Sequence, residues 1–166
     1  VDFDKVKKNL EETFLQVWHG HAENDGLNQM VSRANLNWRE VMMLRTYSSY
    51  MRQARFPYSR TYVEQVLNSY PEIVCELVEL FKAKHDPAAG QKSAARVKQA
   101  NEKINAFLQN VQKLDHDRIL RSLRTLIENT LRTNYYQTDS QGNPKNVLAV
   151  KLDSKNIPDL PLPRPH

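Results

Sequence analysis

Glycine is scarce in this sequence: 166 residues hold four, Gly20, Gly26, Gly90 and Gly142, and no two are close. A phosphate loop or a dinucleotide fingerprint needs glycines within a few residues of one another, so neither is present. No Gly-x-Ser-x-Gly elbow occurs, which removes one common serine nucleophile. Cysteine is scarcer still. The lone Cys75 cannot close an internal disulfide and predicts a reducing, cytoplasmic setting. Between Val74 and Leu77 it reads as a small core residue rather than a nucleophile. No run approaches the ~20 apolar residues of a membrane span, and no basic stretch leads into an apolar one as in a signal peptide. Carboxylates are plentiful, but nothing pairs two of them in an apolar setting as acid–base chemistry requires.

The composition that remains is ordinary for a folded domain, 40% hydrophobic and 26% charged. A chain of this length buries about 70% of its unfolded surface and needs no metal or disulfide to fold. The net charge of +5 is spread along the chain. Arg118, Arg121 and Arg124, three apart, walk around a helix instead of forming a stripe. Nucleic-acid binding asks for clustered basic residues with exposed aromatics, and that pattern is missing.

The centre of the chain predicts three consecutive helices. Asn37-Trp38-Arg39-Glu40 is a capping-box start. Val41, Leu44, Tyr47, Met51 and Ala54 follow on one face, and Phe56-Pro57 stops the helix. Ser59 opens a second helix with Tyr62, Val63, Val66 and Leu67 inward. Tyr70-Pro71 opens a third, on Ile73, Val74, Leu77, Val78, Leu80 and Phe81, which ends at Asp86-Pro87.

Upstream, residues 3–18 read as a helix with Phe3, Val6, Leu10, Phe14 and Val17 as its apolar stripe. Asp2 or Asp4 is the candidate cap, and Gly20 ends the helix. The turn at 20–28 is dense in polar groups. An EF-hand aligned on Gly26 would put His21 and Ser32 where acidic ligands belong, so that reading fails. His19, His21, Glu23 and Asp25 have metal-ligand character, but no second cluster at a known spacing supports a site. The favoured reading is that Asn24 or Asp25 caps a short helix over 26–34, with Leu27, Met30 and Val31 inward.

Downstream, residues 88–93 read as a flexible connection around Gly90. Val97, Ala100, Ile104, Phe107, Val111 and Leu114 then recur in steps of three and four, as in a helix lying along another. Asp115 is the expected cap of a further helix carrying Ile119, Leu123, Leu126, Ile127, Thr130 and Leu131 to about Arg132. These two helices should pair as an antiparallel hairpin. His116 reads as an exposed first-turn residue. From Asn134 the pattern turns to strands, with a turn over 139–144 and a strand over 146–152. Two strands alone are marginal in water, so they should lean on something else. The proline-alternating stretch 157–165 should be an extended linker or strap.

Five phrases resemble one family, the long multidomain bacterial NAD-specific glutamate dehydrogenases. They are Gly20 to Asn28; Trp38-Arg39-Glu40-Val41 with Leu44-Arg45; Leu114 to Leu120; Thr130 to Tyr136; and Lys151-Leu152-Asp153 with Ile157-Pro158 and Leu160 to Pro165. They stand in the family's order and cover nearly the whole chain. The resemblance implies a parent that oxidises L-glutamate to 2-oxoglutarate and ammonia while reducing NAD. It implies that this stretch follows ACT-like regulatory domains and precedes the catalytic domain, whose catalytic motif and Rossmann fingerprint lie beyond His166. No family catalytic, cofactor-binding or metal residue maps here, and NAD belongs to the parent.

The expected architecture is therefore mainly α: a bundle-like helical domain over 1–133, then a β-hairpin and extended linker over 134–166. Because the sequence opens with a helix in progress, it reads as a piece of a longer protein. Its expected role is a non-catalytic interdomain segment, and a stand-alone helical interaction module is the alternative. The expected partners are other domains of the same chain, with a homo-oligomeric parent, no nucleic acid and no membrane. Glu23, Asn24, Asp25 and Asn28 are the candidate interdomain contact.

Overall fold

Seven helices and a two-stranded antiparallel sheet make up the computed structural model, which describes residues 3–158 and 160. The helices are α1 (Phe3–Trp18), α2 (Gln29–Arg33), α3 (Trp38–Gln53), α4 (Arg60–Ser69), α5 (Pro71–His85), α6 (Lys92–Leu108) and α7 (Leu114–Glu128). The strands are β1 (Thr130–Thr133) and β2 (Val150–Leu152). The fold is mainly α, as the sequence predicts.

The three central helices form where their start and stop signals stand. Asn37 accepts from the backbone N–H groups of Arg39 and Glu40, and the Glu40 carboxylate reaches back to Asn37 N at 2.9 Å, so the capping box closes. Ser59 caps α4 through Tyr62 N, and Pro71 takes the first turn of α5, where no N–H is needed. Asp25 caps a 3-10 turn, Gly26–Asn28, that runs into α2 and buries Leu27, Met30 and Val31 completely. At Gly26 a side chain would displace the Glu64 carboxylate. A Cβ there would lie 2.7 Å from Glu64 Oε2, which accepts from Gly26 N.

The helical half departs from expectation in four places. α6 lies along α5, not along α7. The link over 109–113 ends extended at Lys113, and this lets α7 cross α3, α4 and α5 and bury Ile119, Leu120, Leu123, Leu126 and Ile127. α6 turns Ala100, Ile104 and Leu108 inward, while Phe107 is partly exposed and Leu114 belongs to the next helix. The three-four pattern from Val97 to Leu114 thus runs across a turn. Asp115 does not cap α7; its carboxylate accepts from the Tyr58 hydroxyl at 2.7 Å. The connection over 86–91 is a series of hydrogen-bonded turns, tied to α5 by Ser93 Oγ donating to Ala83 O at 2.7 Å.

The first strand forms earlier than expected, and the second is shortened to the end of its expected span. α7 stops at Glu128, and Thr130 to Thr133 become β1, with Thr130 Oγ1 donating back to Leu126 O. β1 pairs with β2 in the register Thr130↔Leu152, Arg132↔Lys151 and Thr133↔Val150, and a bulge leaves Leu131 exposed. Residues 146–149 do not pair as a strand. The Asn134 side chain takes over instead, donating to Val147 O and accepting from Ala149 N. The arm between the strands is closed by a Thr138↔Pro144 bridge, with Asp139 accepting from the N–H groups of Gln141 and Asn143. Of the proline-rich tail, Ile157 and Leu160 sit in the core; residues 159 and 161–166, like the cap candidate Asp2, lie outside the described residues.

One hydrophobic core joins these parts. It is continuous from Leu27 through Tyr47 and Phe81 to Ile104, Leu123, Ile127 and Ile157.

Candidate interdomain interface

Two polar clusters decorate this core. The first is the turn over 21–28, and it holds a buried ion network. Arg45 on α3 grips Asp25 with two nitrogens, Nε to Oδ2 at 2.6 Å and Nη2 to Oδ1 at 2.8 Å. The same Nη2 donates to Asn28 Oδ1 and to Glu23 O. Arg60 on α4 bridges Asp25, Glu23 and Glu64. Burial raises the Asp25 carboxyl, but the two guanidinium groups more than offset it and hold the carboxyl below the usual carboxylate range. Of the four residues singled out in this turn, Asp25 and Asn28 are thus committed to internal bonds. Glu23 is shared between Arg60 and solvent, and Asn24 is exposed. Sequence spacing could not show this, because Arg45 and Arg60 come from two later helices.

The second cluster sits where α3 meets the arm between β1 and β2. Arg39 is 6% exposed and has no carboxylate partner among the described residues. Its guanidinium donates to the Lys145 carbonyl and, at 3.1 Å, to Tyr135 O. It also lies over the Tyr135 and Trp38 rings, at 5.4 and 5.8 Å from their centroids. A planar, multiply donating cation suits this place, because it can clamp two carbonyls and a ring at once. About two turns on, the Tyr47 hydroxyl meets Thr130 Oγ1 at 2.6 Å, both groups being buried. Lys84 donates to the Glu128 carbonyl, and Lys103 reaches Glu76 at 2.9 Å. These bonds tie α3 and α5 to later elements of the chain.

His116, expected at the surface, is 8% exposed. Its Nδ1 lies 3.0 Å from the Tyr70 hydroxyl, and the Tyr62 and Tyr70 rings pack edge-on against it. The correction follows from the crossing of α7 over α4, which covers the first turn of α7. Burial, helped by the Lys113 ammonium, lowers the affinity of this imidazole for a proton. His85 is held more strongly in the neutral form. Burial and the adjacent Lys84 push it down to about 4, and its buried Nε2 has no hydrogen-bond partner among the described residues. Between pH ~6.5 and about 4 the unfolded chain therefore binds a proton at His85 that the native chain does not. Stability is full above that window and falls as pH drops through it, by about 2 kcal/mol after allowance for partial exposure. Urea titrations at pH 7 and pH 4.5 should show this loss, and a His85→Leu variant should lose less.

No group of three or more His, Cys, Asp and Glu among the described residues could hold a metal ion. Cys75 is partly buried, its Sγ is directed at Ala34 O, and burial together with four nearby glutamates pushes its thiol up, away from the reactive thiolate. A cleft of about 550 Å³ opens between α3 and residues 146–150, but the buried charge on its wall, Arg45, is already spent on Asp25 and Asn28. No helix among the described residues is long and apolar enough to cross a membrane.

Residues 22–87 match the family described as glutamate dehydrogenase, helical motif 3, and residues 103–166 match the family described as bacterial NAD-glutamate dehydrogenase, catalytic domain. The catalytic-domain match thus starts inside α6, earlier than the resemblance implies. The NAD-specific glutamate dehydrogenase of Mycobacterium tuberculosis is 45% identical over 157 residues, 93% of this chain. That of Halomonas elongata is 42% identical over 165 residues, and that of Pseudomonas aeruginosa 38% over 168, each covering 99% of the chain. The chain spans about 10% of the length of each of these relatives. The bonds from Arg39, Tyr47, Lys84 and Glu76 all cross from the first matched region to the second, and the core is common to both.

Proposed function

Since the chain belongs to the bacterial NAD-specific glutamate dehydrogenases, we propose that it is the non-catalytic joint at which helical motif 3 is fused to part of the catalytic domain. The parent enzyme converts L-glutamate, NAD and water to 2-oxoglutarate, ammonia and NADH, in the cytoplasm. The single observation that carries the reading is the shared core. Leu27 to Phe81 from one matched region and Ile104 to Leu160 from the other form one apolar cluster. Two domains that merely touched would meet through a more polar patch with room to slide. A common core instead passes a displacement of α3 or α5 to β1 and the arm beyond it, because close-packed interiors have little slack. Glu23 and Asn24, the exposed members of the ionic turn, are where that turn would meet a neighbouring domain.

The joint has no chemistry of its own in this reading. Residues 1–166 should neither reduce NAD in the presence of glutamate nor bind it. Calorimetric titration with NAD, followed by an NADH fluorescence assay, checks both, and measurable binding or turnover by the isolated chain would overturn the proposal. In the parent, Arg39→Met should lower kcat severalfold with little change in KM for glutamate or NAD, because the residue orients the arm and touches neither substrate.

A further inference from the structure

α1 is amphipathic, yet it turns its apolar side away from the protein. What it buries is polar: Asn9, which donates to Asn35 O and Oδ1 at 3.3 and 3.0 Å, and Thr13, which bonds back to Asn9 O. The apolar band lies about a quarter turn round the helix. Phe3 is 81% exposed, Phe14 65% and Trp18 75%, and Leu10 and Leu15 stand half out beside them. Phe14 and Trp18 stack on each other at 6.1 Å. Of the stripe expected from the sequence, Phe3, Leu10 and Phe14 face solvent, while Val6 and Val17 are half-buried.

We infer that this face of α1 is a docking surface for a helix of the same polypeptide that precedes Val1. Three observations select that occupant. The relatives that match α1 along with the rest of the chain have about nine tenths of their length outside it, and the matched motif is by its description a third one. Consecutive elements are usually adjacent in space, and the element after α1 already covers its polar side. The exposed aromatics and leucines make a patch on the order of 600 Å², large for a monomer. On that face a tethered helix gives up far less freedom on docking than a second copy would. The occupant should present a leucine- or phenylalanine-rich stripe.

This inference rests on the chain being one segment of a longer dehydrogenase, and it is independent of whether the joint is catalytic. A benzophenone amino acid placed at position 14 of the full-length enzyme tests it. On irradiation, an intrachain adduct to a peptide preceding Val1 is expected, with no band of doubled mass. A doubled band, an adduct elsewhere in the chain or no adduct overturns it, and none of these outcomes bears on NAD binding by residues 1–166. A Phe14→Glu, Trp18→Glu pair supplies a second readout. The thermal midpoint of residues 1–166 should be unchanged, while protease cleavage near α1 in the full-length enzyme should become severalfold faster. Equal cleavage of variant and unaltered enzyme would overturn the inference as well.

Discussion

Replacing Arg45 with leucine should destabilise residues 1–166 by about 3 kcal/mol, the low end of what breaking a buried ion pair costs. A chain of this length should then melt roughly 10 °C earlier. The size follows from what is left behind. Asp25 stays almost covered, with one of its two guanidinium partners gone and both of its oxygens already placed for that partner. Arg60 stays, but it is one-third exposed and divided among three carboxylates. The same substitution leaves Asn28 Oδ1 without its Arg45 donor, and Glu23 O with Asn28 Nδ2 alone. Adding Asp25→Asn should return part of the loss, because a neutral amide tolerates burial better than an unpaired carboxylate, and the double-mutant cycle should show a coupling above 1 kcal/mol. The pH behaviour separates this site from His85. Asp25 is held below its unfolded value, so its contribution is intact above pH ~4 and is lost only as pH falls through the native value. The His85 loss is complete by then. Urea denaturation at pH 7 reads the first effect, and a cost under 1 kcal/mol would mean that the turn is solvated and not built into the fold.

Local grammar made most of the helical frame legible. Asn37-to-Glu40, Ser59 and Tyr70-Pro71 each carry their signal within four residues, and the helices start where those signals stand. What escaped depends on partners distant in sequence. The arginines that engage Asp25 in the turn over 23–28 were not legible, because Arg45 and Arg60 are 20 and 35 residues from Asp25. His116 looked exposed because Tyr70 is 46 residues away. Thr130 and Leu131 fit a helical stripe by spacing, and only the pairing with Val150 to Leu152 turns them into a strand, a case of tertiary contacts overriding a local period. α1 erred in the other direction. Its stripe is real, and it is the polar edge that meets the rest of the fold.

Leu123→Ala should unfold both matched regions together. Leu123 is fully buried on α7, in the region matched to the catalytic domain, and α7 crosses α3, α4 and α5 of the other. Removing its three side-chain carbons leaves a cavity bounded by both regions and should cost about 2–5 kcal/mol. If the core is one cooperative unit, the loss will appear at the same denaturant concentration whichever end is watched. Trp38, at the start of α3 beside Arg39, reports on the helical motif by fluorescence once Trp18 is changed to phenylalanine. Amide exchange at Ile119 to Ile127 reports on α7. Coincident transitions, both moved to lower urea with an unchanged slope, are expected. If α7 exchanged early while Trp38 kept its native signal, the helical motif would be a separate unit leaning on its neighbour. The Arg39 clamp and the Tyr47–Thr130 bond would then be contacts between two bodies, and a joint that transmits position would have no physical basis.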